Sequence, residues 1–427
     1  MHGDSCNATK GICGTKGTFN SMNYPGWRHN AIEWTDNNGD LWLFGGFGLS
    51  YSGGQGYLND LWKYNVLSNE WAWISGDTAI DKQGTYGSKG VPNVNNMPGS
   101  RFGSVSWVDN SGNLWLYGGL GFSIFVGSGH FNYLWKFDIT LGHWSWESGD
   151  VFLGQNGFYG IKSNSSPSNK PGSRYISTSW SDGNNLWLFG GWGPSPLSGG
   201  FLNDLWKYNV MTNEWTWVNG DSLVWQYAKY GIKNNYAQLN KPGARINAIS
   251  WNDNSGNFYL FGGNGLTESA NGMLNDLWRY NSFTNEWAWI SGDSLINSLG
   301  SYGSLGTYNQ LNKPGSRQES VSWVDTIGNL WLFGGYFNSN YSNDLWKFNT
   351  QAKMWVWVGG DNLPNQKGFY GTKGIGASAN KPGSRRMSSR WIDKLGNLWL
   401  FGGLGKNCTN NIYSLNDLWK YKICYPA

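Results

Sequence analysis

The sequence predicts an all-β chain, a ring of six four-stranded antiparallel sheets forming a six-bladed β-propeller, and three observations lead there. The first is a run Pro-Gly-x-Arg that occurs six times, ending at Arg28, Arg101, Arg174, Arg245, Arg317 and Arg385, with spacings of 73, 73, 71, 72 and 68 residues. Self-similarity at a period well above about 40 residues, built from short β-type runs, is the mark of propeller blades. The second is that the same four segments follow each other in the same order within every period. The third is composition: 63 Gly and 30 Trp stand beside only 14% charged residues, where about 25% is usual.

Each segment has its own reason to be a strand. The first, Ser-Val-Ser-Trp-Val-Asp ending at Asp109, alternates small and large side chains, as a strand with two unlike faces does. A turn of the type Asp109-x-x-Gly112-Asn113 suits a tight hairpin, because Gly and Asn accept positive φ. The second, Leu41 to Gly46, is apolar on both faces and ends in two glycines that let a neighbouring backbone approach. The third, Leu58 to Tyr64, and the fourth, Asn69 to Asp77, complete the meander of one blade.

One domain over residues 1–427 is expected, with blades at about 26–77, 99–150, 172–221, 243–293, 315–361 and 383–427 and a closing segment at 1–25. Blade six stops before any Trp-x-Trp segment, while Gly3-Asp4 repeats the Gly-Asp pair that ends each fourth segment, as at Gly76-Asp77. The last blade is therefore incomplete or closed by the termini. Its outer strand is absent, or comes from beyond these residues or from a partner chain.

The glycine doublet closing the second strand, the Tyr or Phe ending the third and the Trp opening the fourth resemble the kelch motif, over almost the whole chain. The resemblance implies a propeller, and it leaves protein-binding scaffolds, lectin-like domains and galactose oxidase-like copper enzymes all open. Those enzymes hold copper with two histidines and two tyrosines, one of them cross-linked to a cysteine. Here the histidines are His2, His29, His130 and His143, and no cysteine lies between Cys13 and Cys408. No catalytic residue, metal or cofactor is expected. The Asp-x-x-Gly-Asn turns offer one carboxylate each where calcium takes six to eight oxygens.

The net charge of +4 carries no Lys/Arg block, so no nucleic acid is expected as a partner. No apolar run approaches the ~18 residues of a membrane span, and the opening residues lack the apolar core of a secretory signal. Cys6, Cys13, Cys408 and Cys424 cluster at the two ends, which reads as disulfides of an exported, extracellular or cell-surface protein, with all three pairings open. Sequons at Asn7, Asn164, Asn340 and Asn407 are candidate glycosylation sites.

Of the 30 tryptophans, 27 fall at repeated blade positions, leaving Trp27, Trp192 and Trp225. Tryptophan here is blade packing first. The repeated Pro-Gly-x-Arg arginines form one symmetric set, and Asp60, Asp204, Asp276, Asp344 and Asp417 form another with Tyr133 in the acid's place in blade two; the arginines are expected to tie adjacent blades by charge-assisted hydrogen bonds. A tyrosine repeated in the long connections, from Tyr86 to Tyr370 and replaced by Cys13 in the first, is expected to pin those loops. What varies lies between the second and third strands and in the connections of about 20 residues, on one face. Its aromatics Tyr51, Phe125, Trp192, Trp225, Tyr227 and Tyr336 are the candidate ligand contacts. The expected role is a non-catalytic module that binds a protein partner or assembles with itself, with a glycan-binding, lectin-like propeller as the alternative and an oxidase after that.

Overall fold

A computed structural model describes residues 9–123, 127–194, 199–253 and 255–423. Blade one runs through strand A (Ile32–Thr35), strand B (Leu41–Leu49), strand C (Gln55–Asn65) and strand D (Glu70–Ser75). They pair antiparallel in that order. Strands B and C run past the segments read from the sequence. Their hairpin continues beyond the glycine doublet, so part of what reads as variable loop is strand, after a break in register between Phe44 and Gly46. That break is a β-bulge. A two-residue strand, Arg28–His29, pairs with the extension at Gly48 and Phe47.

The A strands of the other blades are Val105–Val108, Thr178–Ser181, Ile249–Asn252, Val321–Val324 and Ser389–Ile392. Each packs beside the next, and the sixth beside the first, so the ring closes on six blades. Two sets of hydrogen bonds run round it. The indole N–H of each A-strand tryptophan donates to a B-strand carbonyl of the following blade: Trp34 to Trp115, Trp107 to Trp187, Trp180 to Tyr259, Trp251 to Trp331, Trp323 to Trp399 and Trp391 to Trp42, at 2.9–3.2 Å. Nearer one mouth of the axis, Asn30, Gly103, Ile176, Asn247, Glu319 and Met387 all take positive φ, between 50° and 66°. The amide of each donates to its counterpart in the preceding blade, from Gly103 to Asn30 round to Asn30 to Met387, at 2.7–3.2 Å. A β-branched Ile176 and a Met387 in this conformation are strained, and the closed ring is what holds them there.

The fourth-strand tryptophan seals the blade boundaries. Trp71, Trp144, Trp215, Trp287 and Trp355 are at most 1% exposed, each against a ring of the preceding blade: Phe401, Phe44, Tyr117, Phe189 and Phe261 respectively, with centroids 5.4–5.9 Å apart. Blade six has three long strands, Ser389–Ile392, Leu398–Lys406 and Ile412–Tyr421. Among the described residues it has no fourth.

The A–B turns use their carboxylates fully. In blade one, Asp36 Oδ1 accepts the N–H groups of Asn38 and Asp40, and Oδ2 accepts the Trp42 indole at 2.9 Å. Asp325 does the same with Ile327, Asn329 and Trp331. These acids shape turns and hold a core tryptophan.

The arginine expectation is corrected. Five of the six repeated arginines pair with the aspartate of their own blade: Arg174 donates Nη1 to Asp204 Oδ1 at 2.7 Å and Nη2 to Oδ2 at 2.8 Å. Arg28–Asp60, Arg245–Asp276, Arg317–Asp344 and Arg385–Asp417 repeat the fork. The same carboxylate accepts a tyrosine hydroxyl from the long connection and a strand-C indole, Tyr159 at 2.8 Å and Trp206 at 2.7 Å. What crosses between blades is the arginine's backbone. Gly119 N donates to Arg174 O at 2.8 Å, and a Cβ on Gly118 would stand 2.5 Å from that oxygen. The doublet is glycine because the next blade's main chain lies against it, and because both residues have positive φ.

Two blades break the pattern. In blade two Tyr133 replaces the acid, so Arg101 is buried under the Phe131 ring, 4.3 Å from its centroid, with Nη2 unpartnered, as is Trp135 Nε1. Burial lowers the Arg101 pKa to about 10. In blade one Cys13 takes the tyrosine's place.

Candidate functional site

The frame leads the chain to the mouth of the axis in the same way six times. The residue after each Pro-Gly-x-Arg pairs with the residue after each glycine doublet: His29 with Phe47, Phe102 with Leu120, Tyr175 with Trp192, Ile246 with Asn264, Gln318 with Tyr336 and Arg386 with Leu404. Each pair sits next in sequence to the ring of positive-φ residues. These pairs form the rim of an axial channel on the face where the B–C hairpins and long connections emerge.

The rim has two unlike arcs. On blades one to three, aromatic rings touch in series: His29 with Phe47, Phe47 with Tyr57, Tyr57 stacked on Phe102 at 5.6 Å, Phe102 with Tyr175, and Tyr175 stacked on His130 at 4.9 Å. On blades four to six a polar cluster stands beside Tyr336, with Ile246 and Leu404 as the apolar members of the arc. Arg386 Nη1 donates to Glu319 Oε2 at 2.8 Å, its guanidinium lies 4.4 Å from the Tyr336 ring centroid, and Asn247 Nδ2 donates to Glu319 Oε1 at 3.1 Å. Burial raises the Glu319 carboxyl, against the opposing pull of Arg386. Burial, with Arg386 close by, pushes His29 down to about 4, so a neutral imidazole faces the rim at neutral pH.

Below the rim, the channel holds a cavity of about 170 Å³ bordered by Glu33, Ser106, Ser179, Ser250, Ser322 and Arg390 among others. A second cavity of about 290 Å³ opens toward the other face. The serine hydroxyls donate to wall carbonyls, Ser106 to Glu33 O and Ser322 to Ser250 O at 3.0 Å. Glu33 and Arg390 are the charged pair of this wall, 4.0 Å apart, and burial raises Glu33 to about 7. No three His, Cys, Asp or Glu side chains converge as metal ligands among the described residues.

The sequence candidates fall in three places. Trp192 and Tyr336 belong to the rim, both half-buried. Trp225 joins Trp192 edge-on at 5.8 Å and Phe201 at 4.5 Å, and is 37% exposed. Tyr51 and Tyr227 stand apart, exposed, Tyr51 with Lys10 over its ring. Phe125, Cys6, Cys424 and Asn7 lie outside the described residues.

Cys13 is corrected as a disulfide candidate. It is a free, buried thiol, with its pKa pushed up to about 12 by burial and then by Asp60. Cys408 is not among the free thiols of the described residues. Of the sequons, Asn164 is exposed and Asn340 opens strand C of blade five. Asn407 is 1% exposed, with Oδ1 accepting from Thr409 and Asn411 in a turn, a setting with no room for a glycan.

Sequence reasoning missed His29, Phe102, Tyr175, Glu319 and Arg386. Their signal was positional: one or two residues after a repeated arginine, the side chains differ from blade to blade.

No family model matches the chain. It is similar to Kelch domain-containing protein 10 of Bos taurus and of Homo sapiens, 23% identical in each case over 328 residues, 75% of this chain and 58% of the relative. The matched region thus spans a little over half of those relatives' length. By its repeats, its ring of four-stranded sheets and this likeness, the chain is a β-propeller of the kelch type.

Proposed function

We propose that the chain is a non-catalytic protein-interaction module whose partner docks on the rim of the axial channel. One observation carries the reading. The frame repeats six times, yet its rim positions bear six different side-chain pairs, with touching aromatic rings on one arc and the Asn247–Glu319–Arg386 cluster beside Tyr336 on the other. Aromatic rings and arginine are enriched at interface hot spots, and the likeness to kelch-domain proteins supports the same role. The module works outside the cytosol, at a cell surface or secreted, with Cys408 joined to Cys6 or Cys424. Peptide mapping without reductant tests that part: a linked pair supports it, and free thiols at all three contradict it.

The docking test begins with a photo-crosslinker at Gln318 to identify the partner, followed by calorimetry. Phe102→Ala and Arg386→Ala each weaken binding at least about tenfold, roughly 1.4 kcal/mol. Leu67→Ala, 93% exposed at a C–D turn, leaves it unchanged. Equal effects of all three would contradict the rim.

The cluster of Trp192, Phe201 and Trp225 favours a second reading, a sugar-stacking platform. Specific glycan binding lost in Trp225→Ala would select it.

A further inference from the structure

Two acid–base pairs face the axial channel, and they are held differently. At the rim, Arg386 closes on Glu319 at 2.8 Å, and Asn247 takes the second carboxylate oxygen at 3.1 Å. Lower down, at the second position of their A strands, Glu33 and Arg390 of the neighbouring blades one and six come no nearer than 4.0 Å, from Arg390 Nε to Glu33 Oε1. Neither side chain has a hydrogen-bond partner among the described residues. The frame arginines are the contrast: Arg174 donates to Gly172 O, to Gly190 O and to both oxygens of Asp204. A charge withdrawn from bulk water offsets its lost hydration only through close geometry and further hydrogen bonds. The rim pair has both within the chain, and the pair below it has neither.

The cavity of about 170 Å³ around this pair has a one-sided chemistry. At the same A-strand position in the other four blades stand Ser106, Ser179, Ser250 and Ser322. Each hydroxyl donates to the main-chain carbonyl of that position one blade back, at 2.9–3.3 Å, from Ser106 to Glu33 O round to Ser322 to Ser250 O. The serines of the cavity nearer the rim donate to the first glycine of their own blade's doublet, as Ser104 does to Gly118 O at 2.9 Å. With those protons committed to the wall, the hydroxyls turn lone pairs toward the cavity. The wall therefore offers acceptors on most sides and one patch where a cation and an anion stand side by side. The second cavity, of about 290 Å³, is bordered by the same Glu33, Arg390, Ser106, Ser179 and Ser250, so the pair is reached from both.

We propose that Glu33 and Arg390 bind a small zwitterion, an α-amino acid with a short side chain. Its carboxylate takes the Arg390 guanidinium in the paired N–H to oxygen geometry that arginine favours. Its ammonium group has three donors and no acceptor, and the single carbon between the two groups sets it beside Glu33, where it donates to that carboxylate and to serine lone pairs. Each charge of the ligand meets the opposite charge of the wall. A simple anion would crowd Glu33 and a simple cation would crowd Arg390, and like charges at such separations are destabilising. Size agrees: an engineered cavity of about 150 Å³ holds benzene, so the space here suits molecules as large as alanine or serine. The site lies below the rim and stands whether or not a protein docks there.

The probe is free L-alanine, titrated calorimetrically into the purified chain at pH 8, above the Glu33 pKa of about 7. One molecule binds per chain, and Tm rises with its concentration. L-Alaninol, which has a hydroxymethyl group in place of the carboxylate, and L-lactate, which has a hydroxyl in place of the ammonium, each bind at least about tenfold more weakly. Arg390→Gln weakens alanine by at least about tenfold and alaninol no further, and Glu33→Gln does the same to alanine while sparing lactate. The ligand comparisons use the unaltered chain, so they decide the matter even where a variant folds poorly. Alanine binding no tighter than alaninol or lactate, or no binding at millimolar concentration, overturns the proposal.

Discussion

A buried charge is judged by what remains when its partner is removed, and two blades of this chain make that comparison internally. Arg174→Met leaves Asp204 buried beside Tyr159 and Trp206 without its cation, and breaking such a pair costs about 3–5 kcal/mol. Arg101 has no carboxylate, and its Nη2 is already unsatisfied. Arg101→Met gives up two bonds to carbonyls, Gly99 O and Gly118 O, and a contact with Phe131, so it costs at least about 2 kcal/mol less than Arg174→Met in urea titrations. Glu33 gives a pH prediction. Its folded pKa, about 7, lies above its ordinary value of 4.5, so the folded state holds the proton more tightly. The stability this contributes is present in full below pH 4.5 and is lost as pH rises toward and through 7. Glu33→Gln therefore raises Tm at pH 8 relative to the parent and changes it little at pH 4.5.

At the scale of elements, the sequence made the strands legible because each carries its own pattern. The apolar run before the doublet, the Trp-x-Trp of strand D and the Asp-x-x-Gly-Asn turn each specify one local structure. Partners between elements were less legible. The arginine recurs at a fixed place in all six periods and the aspartate in five, and periodicity alone cannot say whether a repeated arginine meets the acid of its own blade or of the next. The close approach at the doublet decides it: the arginine's main chain is committed to the preceding blade, and its side chain folds back into its own. Gly262→Ala tests that approach. Its Cβ would stand 2.8 Å from Arg317 O of the following blade, at φ +62°, so the substitution costs at least about 2 kcal/mol by chemical denaturation. Gly306→Ala, also at positive φ but with open space around it, pays only the conformational part and costs less.

The whole molecule is a closed ring, and its closure was the least legible feature. Asn30, Gly103, Ile176, Asn247, Glu319 and Met387 share no chemistry, so no pattern of residue types marks them as one hydrogen-bonded circle. They share only a place, two residues after each repeated arginine. The candidate site followed the same rule. Trp192 and Tyr336 stood out as aromatics, whereas His29, Phe102, Tyr175 and Arg386 became visible only once the frame had brought equivalent positions to one rim. The tryptophans that dominate the composition proved to be packing, bonded from blade to blade round the axis, and the blade-specific side chains lie where that packing ends.

Native-state hydrogen exchange on the amides of Asn30, Gly103, Ile176, Asn247, Glu319 and Met387 tests this closure most directly. The account predicts that all six exchange at one slow rate, set by global unfolding and equally sensitive to denaturant, because no blade can leave the circle alone. Fast or unequal exchange among them, with single blades opening independently, would contradict a closed ring of six.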